Sequence, residues 1–184
     1  MLERNGITLS FLSYTYGTNG IPTPARQPYL VNRIDRELIR EDLAAARKKS
    51  DVTVLSLHFG NEYETMPTQE QLELARFAAD NGADIILGHH PHVLQPPAWI
   101  DTADGRRSFV FYSLGNFLSG QKGVERRIGG IAHLEIEKRI TADGSNISLT
   151  NPAFTPTFVQ HQRYEDYEVL LLKDISGEWN DNTK

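Results

Sequence analysis

Two short apolar-rich runs constrain this chain more than any other feature. "VTVLSL" (52–57) and "DIILG" (84–88) each end directly in a histidine or a histidine pair, at His58 and at His89-His90. Short β-branched runs of this kind suit strands buried on both faces, as in parallel sheets. The segment between them carries helix signals. Thr68 offers an N-cap with Gln71 three residues on, the capping-box spacing, and Gly82 supplies a C-terminal stop. Leu72, Ala75 and Ala79 would line one face of that helix. A second helix is expected from Asn32 onward, where Val31, Ile34, Leu38 and Ala45 or Ala46 recur near helical spacing and Lys48 and Lys49 suit the negative end. Residues 32–88 therefore read helix–strand–helix–strand, an α/β unit with parallel strands.

Around this unit, "ITLSFLSY" (7–14) alternates as a strand does, and "GTNGIPTPARQPY" (17–29) is a long loop of the kind that often carries function. After the histidines the pattern becomes antiparallel. "PPAWID" and "RSFVFYSL" flank a turn at "TADGR", and "GGIAHLEIEKRI", "NISLTNPAF", "TPTFVQHQ" and "YEVLLL" are further strands, separated by "TADGSN" and by Pro152 or Pro156. The expected fold class is α/β (α+β), a parallel βαβ unit followed by mostly antiparallel strands, in one domain over 1–175 with a frayed tail at 176–184.

Composition removes several classes. The 184 residues are enough for one sizeable core. A net charge of −5 argues against nucleic acid as a partner, and the pairs Arg106-Arg107 and Arg126-Arg127 read as solvated faces. With no cysteine, thiolate metal sites, disulfides and cysteine nucleophiles are excluded. No apolar run reaches the roughly 18 residues of a membrane span, and no signal peptide is visible. The opening "MLERNGITLSF" enters a strand almost at once, as the middle of a longer protein would.

The chemistry lies at the strand ends. In an open α/β sheet, ligands bind in the crevice beyond the carboxyl ends of the strands. His58 and the group His89, His90 and His92 converge there, and Pro91 stiffens the turn between His90 and His92. Imidazole is a common ligand for divalent transition ions. Glu62 and Glu64 follow His58; either is a ligand, an orienting group or a proton carrier, or simply an acid favoured at a helix start. In "YSLGNFL" (112–118), Gly115 supplies a special backbone conformation and Asn116 offers both donor and acceptor. His133, in an alternating strand, and His161, between two glutamines, read as structural.

Three stretches in this order, "SLHFGNEY", "GADIILGHHPHVLQP" and "FYSLGNFL", with "SYTYGTNG" upstream, resemble the CapA/PgsA family of capsule and poly-gamma-glutamate biosynthesis proteins. That family is similar to calcineurin-like metallophosphoesterases, and the resemblance implies part of an α/β/β/α sandwich with a divalent-metal centre (Mn, Zn or Fe) at the strand ends. It implies metal ligation by His58, His90 and His92, and working roles for Glu62, His89 and Asn116; whether His89 or His90 partners His92 stays open. The family's Gly-Asp strand has no counterpart before residue 32, and Asp35 and Asp42 fall on the first helix. The chain thus resembles the C-terminal part of the domain, with weak metal affinity and no activity expected of it alone.

Three functions follow from the resemblance. One is a metal-dependent phosphoesterase or amide hydrolase. Another is a non-catalytic subunit on the extracellular face of the membrane, anchored by a segment outside this chain, that supports a membrane polymer synthase or binds its anionic polymer. The last is a metal-dependent phosphatase unrelated to capsule.

Overall fold

In the computed structural model, which describes residues 1–142, 144–162 and 165–175, the two histidine-terminated runs are neighbouring parallel strands in register, with His58 opposite His89. The chain enters as β1 (Leu2–Arg4), reverses at Asn5-Gly6 and returns antiparallel as β2 (Ile7–Thr15). Asn5 and Gly6 have φ values of 54° and 73°, the paired positive values a two-residue hairpin turn requires. A long loop leads to α1 (Arg36–Arg47), β3 (Val52–His58), α2 (Gln69–Asp80) and β4 (Ile85–His89). Then come β5 (Leu94–Gln95), β6 (Ala98–Asp101), β7 (Arg107–Phe111) and β8 (Ser113–Leu114). The main sheet has the order β1-β2-β3-β4-β7-β6, parallel from β2 to β7 and closed at both edges by antiparallel strands. The hairpin expected around "TADGR" is β6–β7.

Both helices pack on one face of this sheet. Ile39 and Leu43 of α1 and Leu74, Ala75, Ala78 and Ala79 of α2 meet Leu55, Leu57, Ile86 and Val110 in one buried cluster. The opposite face is covered by a second sheet, β11 (Glu165–Leu171), β10 (Gly144–Gln162) and β9 (Ile128–Thr141) in that order, all antiparallel. Leu134, Ile136, Ile147 and Leu149 of this sheet pack against Val52, Val54 and Ile85. The central strands are thus buried on both faces, which is why they read as continuous apolar runs.

The structure moves three expectations. In α2 the buried apolar face is Leu74, Ala75, Ala78 and Ala79, and Leu72 is exposed. The first helix begins at Arg36, not Asn32, because Asp35 caps it: the Asp35 carboxylate accepts from Leu38 N at 3.0 Å. Residues 32 and 33 instead extend the β2 edge through a Thr15–Arg33 bridge, and the buried face becomes Ile39, Leu43 and Ala46, leaving Leu38 exposed. Pro152 and Pro156 do not break the chain into two strands. Pro152 lies at a register shift between Thr150 and Ala153, and Pro156 lies one residue before β11 begins to pair, where β10 has one neighbour. The tail 176–184 lies outside the described residues. Among those described, no helix is long and apolar enough to cross a membrane.

Candidate metal centre

Gly88 sets the geometry. A Cβ there would stand 1.9 Å from the Tyr112 carbonyl oxygen, so only glycine lets β4 run this close to the chain leaving β7. Beyond it the backbone bends sharply: His90 has φ 103° and His92 φ 60°, left-handed values that non-glycine residues adopt where the surroundings impose them. The bend turns two imidazoles toward the loop that follows β3. His90, His92 and Glu62 then have ligand atoms all within 4.8 Å of one another, and His92 Nε2 lies 3.8 Å from Glu62 Oε1.

His58, at the end of β3, stands beside this group, its ring centroid 4.8 Å from that of His90. Tyr16, just past β2, stacks on His58 at 5.9 Å and 9° and meets His90 at 4.5 Å. Three adjacent parallel strands thus each send a ring to the same rim. His89, on β4, is not one of the three residues whose ligand atoms meet. Of the two candidate partners, it is His90 whose ligand atom lies with that of His92. Tyr16 escaped the sequence reading, although its place at a strand end carries the same signal as His58. Next to Tyr16 a groove of about 620 Å³ is lined by residues 16–23 of the long loop and by Arg33.

Asn116 fixes His92. Its side-chain nitrogen donates to the carbonyl oxygens of Arg126 at 2.8 Å and His92 at 3.4 Å. That orientation leaves Oδ1 facing His92 Nδ1 at 2.9 Å, so Nδ1 is the donor and Nε2 is the ring nitrogen that faces Glu62. Gly115 (φ 64°) makes the turn beneath it, where a Cβ would sit 2.5 Å from the Ile128 carbonyl oxygen.

The Glu62 loop is pinned from below. Gln71, 1% exposed at the start of α2, accepts from Thr68 N at 3.0 Å and donates to Gln95 at 2.9 Å. Gln95 donates in turn to the carbonyls of Glu64 at 2.9 Å and Met66 at 3.1 Å. Tyr63 N donates to Pro91 O at 2.7 Å, tying this loop to the histidine turn. Glu64 receives a bond from Asn61 and is not in the ligand group.

Electrostatics favour neutral rings. Burial lowers the His58 pKa, and the neighbouring His90, His89 and His92 lower it further. Burial lowers His89 as well. In His90, burial outweighs the opposing pull of the Glu62 carboxylate. A neutral imidazole has the free lone pair that metal ligation needs. Ligand atoms around a tetrahedral ion with bonds near 2.1 Å stand roughly 3.4 Å apart, so Glu62 and His92, at 3.8 Å, would have to draw together by a few tenths of an ångström around one cation.

The outlying candidates behave structurally. His133 Nε2 pairs with Thr155 Oγ1 at 2.8 Å, and the His161 ring lies 5.0 Å from that of Tyr167, tilted by 38°. Arg106 is not a solvated residue: it bonds Asp104, Asp84 and the Ala79 carbonyl.

Known proteins agree with the motifs. Residues 1–121 match the family described as bacterial capsule synthesis protein PGA_cap. The chain is 32% identical over 178 residues to the PGA biosynthesis protein CapA of Bacillus subtilis (strain 168), covering 95% of this chain and 45% of that protein. It is 33% identical over 142 residues to the capsule biosynthesis protein CapA of Bacillus anthracis, covering 75% of this chain and 33% of that one. The chain therefore spans less than half the length of these curated relatives, and by the family match over residues 1–121 it belongs to the PGA_cap family of bacterial capsule synthesis proteins.

Proposed function

We propose that this chain carries a divalent-cation site serving capsule or poly-gamma-glutamate biosynthesis, with Glu62, His90 and His92 as ligands and His58 as a neighbouring donor. The observation that carries this reading is the meeting, within 4.8 Å, of one carboxylate with two imidazoles held on left-handed backbone. Such a mixed nitrogen and oxygen set suits Zn, Mn or Fe. When bound, the ion supplies Lewis acidity toward a phosphoryl or carbonyl oxygen and a lowered pKa for coordinated water. The chain's own residues do the remainder. Asn116 holds His92 in one tautomer, Tyr16 packs the His58 and His90 rings, and Glu62, half exposed, is free to ligate or to carry a proton. In this reading the intact protein works on the extracellular face of the membrane beside polymer synthase subunits or the anionic polymer, and the site hydrolyses a phosphoester or an amide.

A second reading, a non-catalytic scaffold, is favoured by the single carboxylate in the ligand group, since two-metal hydrolytic centres use bridging oxygens. Titration calorimetry with manganese and zinc decides on the site: wild type binds, and His92→Ala loses binding. If neither ion binds the wild-type chain, the metal reading is wrong. The full-length protein loaded with manganese, assayed on a chromogenic phosphodiester, separates the two roles: turnover lost in His92→Ala supports the hydrolase, and binding without turnover supports the scaffold.

A further inference from the structure

Arg126 and Arg127 are neighbours in sequence and opposites in structure. Arg127 donates to the Val159 carbonyl at 2.8 Å and lies 4.3 Å over the Phe158 ring, fastening its turn to β10. Arg126 instead lies over a ring that neighbours the candidate centre. Its guanidinium carbon lies 3.7 Å over the Tyr63 ring, and that ring is 6.0 Å from the ring of His92. Its carbonyl oxygen receives the Asn116 amide at 2.8 Å, the same Asn116 that holds His92. Arg126 is therefore tied to the centre twice, through its backbone and through its side chain.

Its charge has no carboxylate partner. Among the described residues no Asp or Glu oxygen lies within 4.0 Å of the Arg126 guanidinium, whereas Arg47, Arg106 and Arg107 pair with acids at 3.5, 2.7 and 3.2 Å. Its platform is rigid. Tyr63 sits at φ 68°, held by its N–H bond to Pro91 O. A guanidinium stacked on an aromatic ring keeps a planar fork of donors, which matches a carboxylate or a phosphate in bidentate fashion.

We infer that Arg126 is an oxyanion-positioning residue of this centre, holding a carboxylate or phosphate of the ligand whose other end reaches Glu62, His90 and His92. Its relation to the centre rests on the metal reading above; the oxyanion subsite itself rests on Arg126 and Tyr63 alone.

The test titrates inorganic phosphate and glutarate into metal-free and manganese-loaded chain by calorimetry. Wild type is compared with Arg126→Met, which keeps the apolar stem over Tyr63, with Arg126→Lys, and with Arg139→Ala. Arg139 lies ten residues along β9 from Gly129, roughly 30 Å away at strand rise. The expected result is at least tenfold weaker binding in Arg126→Met, partial recovery in Arg126→Lys, no change in Arg139→Ala and an unaltered manganese affinity throughout. Preference for phosphate identifies a phosphoester ligand, and preference for glutarate a carboxylate-bearing one. If Arg126→Met binds both probes as wild type does, or if wild type binds neither, the inference is overturned. Should Arg126→Met fail to fold, a wild-type affinity in Arg126→Lys overturns the bidentate assignment, and a tenfold loss sustains it. Arg126-dependent anion binding without manganese binding would remove the metal reading and leave this one standing.

Discussion

Gln71 is the residue through which the fold holds the Glu62 loop, and Gln71→Ala measures how firmly. The substitution removes the bond to Gln95 and leaves the Gln95 oxygen, on a side chain 5% exposed, without that donor. An orphaned buried acceptor costs about 1–3 kcal/mol. The Thr68 N–H loses its acceptor too, half of the capping box, for a further ~1 kcal/mol. Part of that is recovered by water reaching the loop, so the net loss is about 2–4 kcal/mol. For a chain of this size each kcal/mol moves the melting temperature by roughly 2–4 °C, giving a fall of about 5–15 °C. Urea unfolding followed by circular dichroism is the assay, with an unchanged slope expected and a lower midpoint. Gln95→Ala and the double variant complete a cycle in which the two losses do not add, because each single change already breaks the shared bond. A Gln71→Ala midpoint within ~0.5 kcal/mol of wild type, or full additivity with Gln95→Ala, would refute the idea that this pair anchors the loop.

Other consequences can be checked independently. Asn116→Ala frees the His92 ring and should weaken manganese or zinc binding by about 10–100-fold, the usual effect of losing an orienting partner; calorimetry reads it, and an unchanged affinity counts against the tautomer assignment. Gly88→Ala forces a methyl to 1.9 Å from a backbone oxygen and should destabilise by about 3 kcal/mol or more, read as a urea midpoint; a mild effect would mean β4 and the chain after β7 part easily. Asp51 is held below its usual carboxylate range, first by the bond from Lys138 and then by the Thr8 N–H. A depressed folded pKa adds stability that is present above the unfolded value near 3.9 and is lost as pH falls through the lower folded value. Lys138→Met should therefore flatten the dependence of stability on pH in that acid window while lowering stability at pH 7 by under ~1 kcal/mol; equal slopes in urea titrations from pH 5 downward would contradict this.

The parallel core was legible because burial on both faces leaves a run of apolar residues that no other element explains as well. The strand-end histidines were legible for the same reason, since register follows from the strands and places His58 beside His89. The capping box at Thr68 and Gln71 was readable too, but only as local chemistry; that the other end of Gln71 reaches Gln95 depends on how the chain returns after β4. The misplaced start of α1 has the opposite cause. Val31 and Ile34 fit a helical period, yet Asp35 competes for the cap and the β2 edge takes residues 32 and 33. Arg126 was legible only as half of a basic pair read as a solvated face, because its contact with Tyr63 joins residues far apart in sequence.

The left-handed backbone at Tyr63, His90 and His92 links these observations. Each such residue costs roughly 1–3 kcal/mol unless its surroundings offset the strain. Two of the three have a specific restraint: Pro91 O receives the Tyr63 N–H, and Asn116 bonds both the ring and the carbonyl of His92. None of these restraints improves the apolar core, which lies deeper, between the sheet and its helices. A chain selected for stability alone would relax this turn with glycine or asparagine. Keeping three rings in that conformation makes sense when the gathered side chains, rather than the turn, are what the strand ends serve.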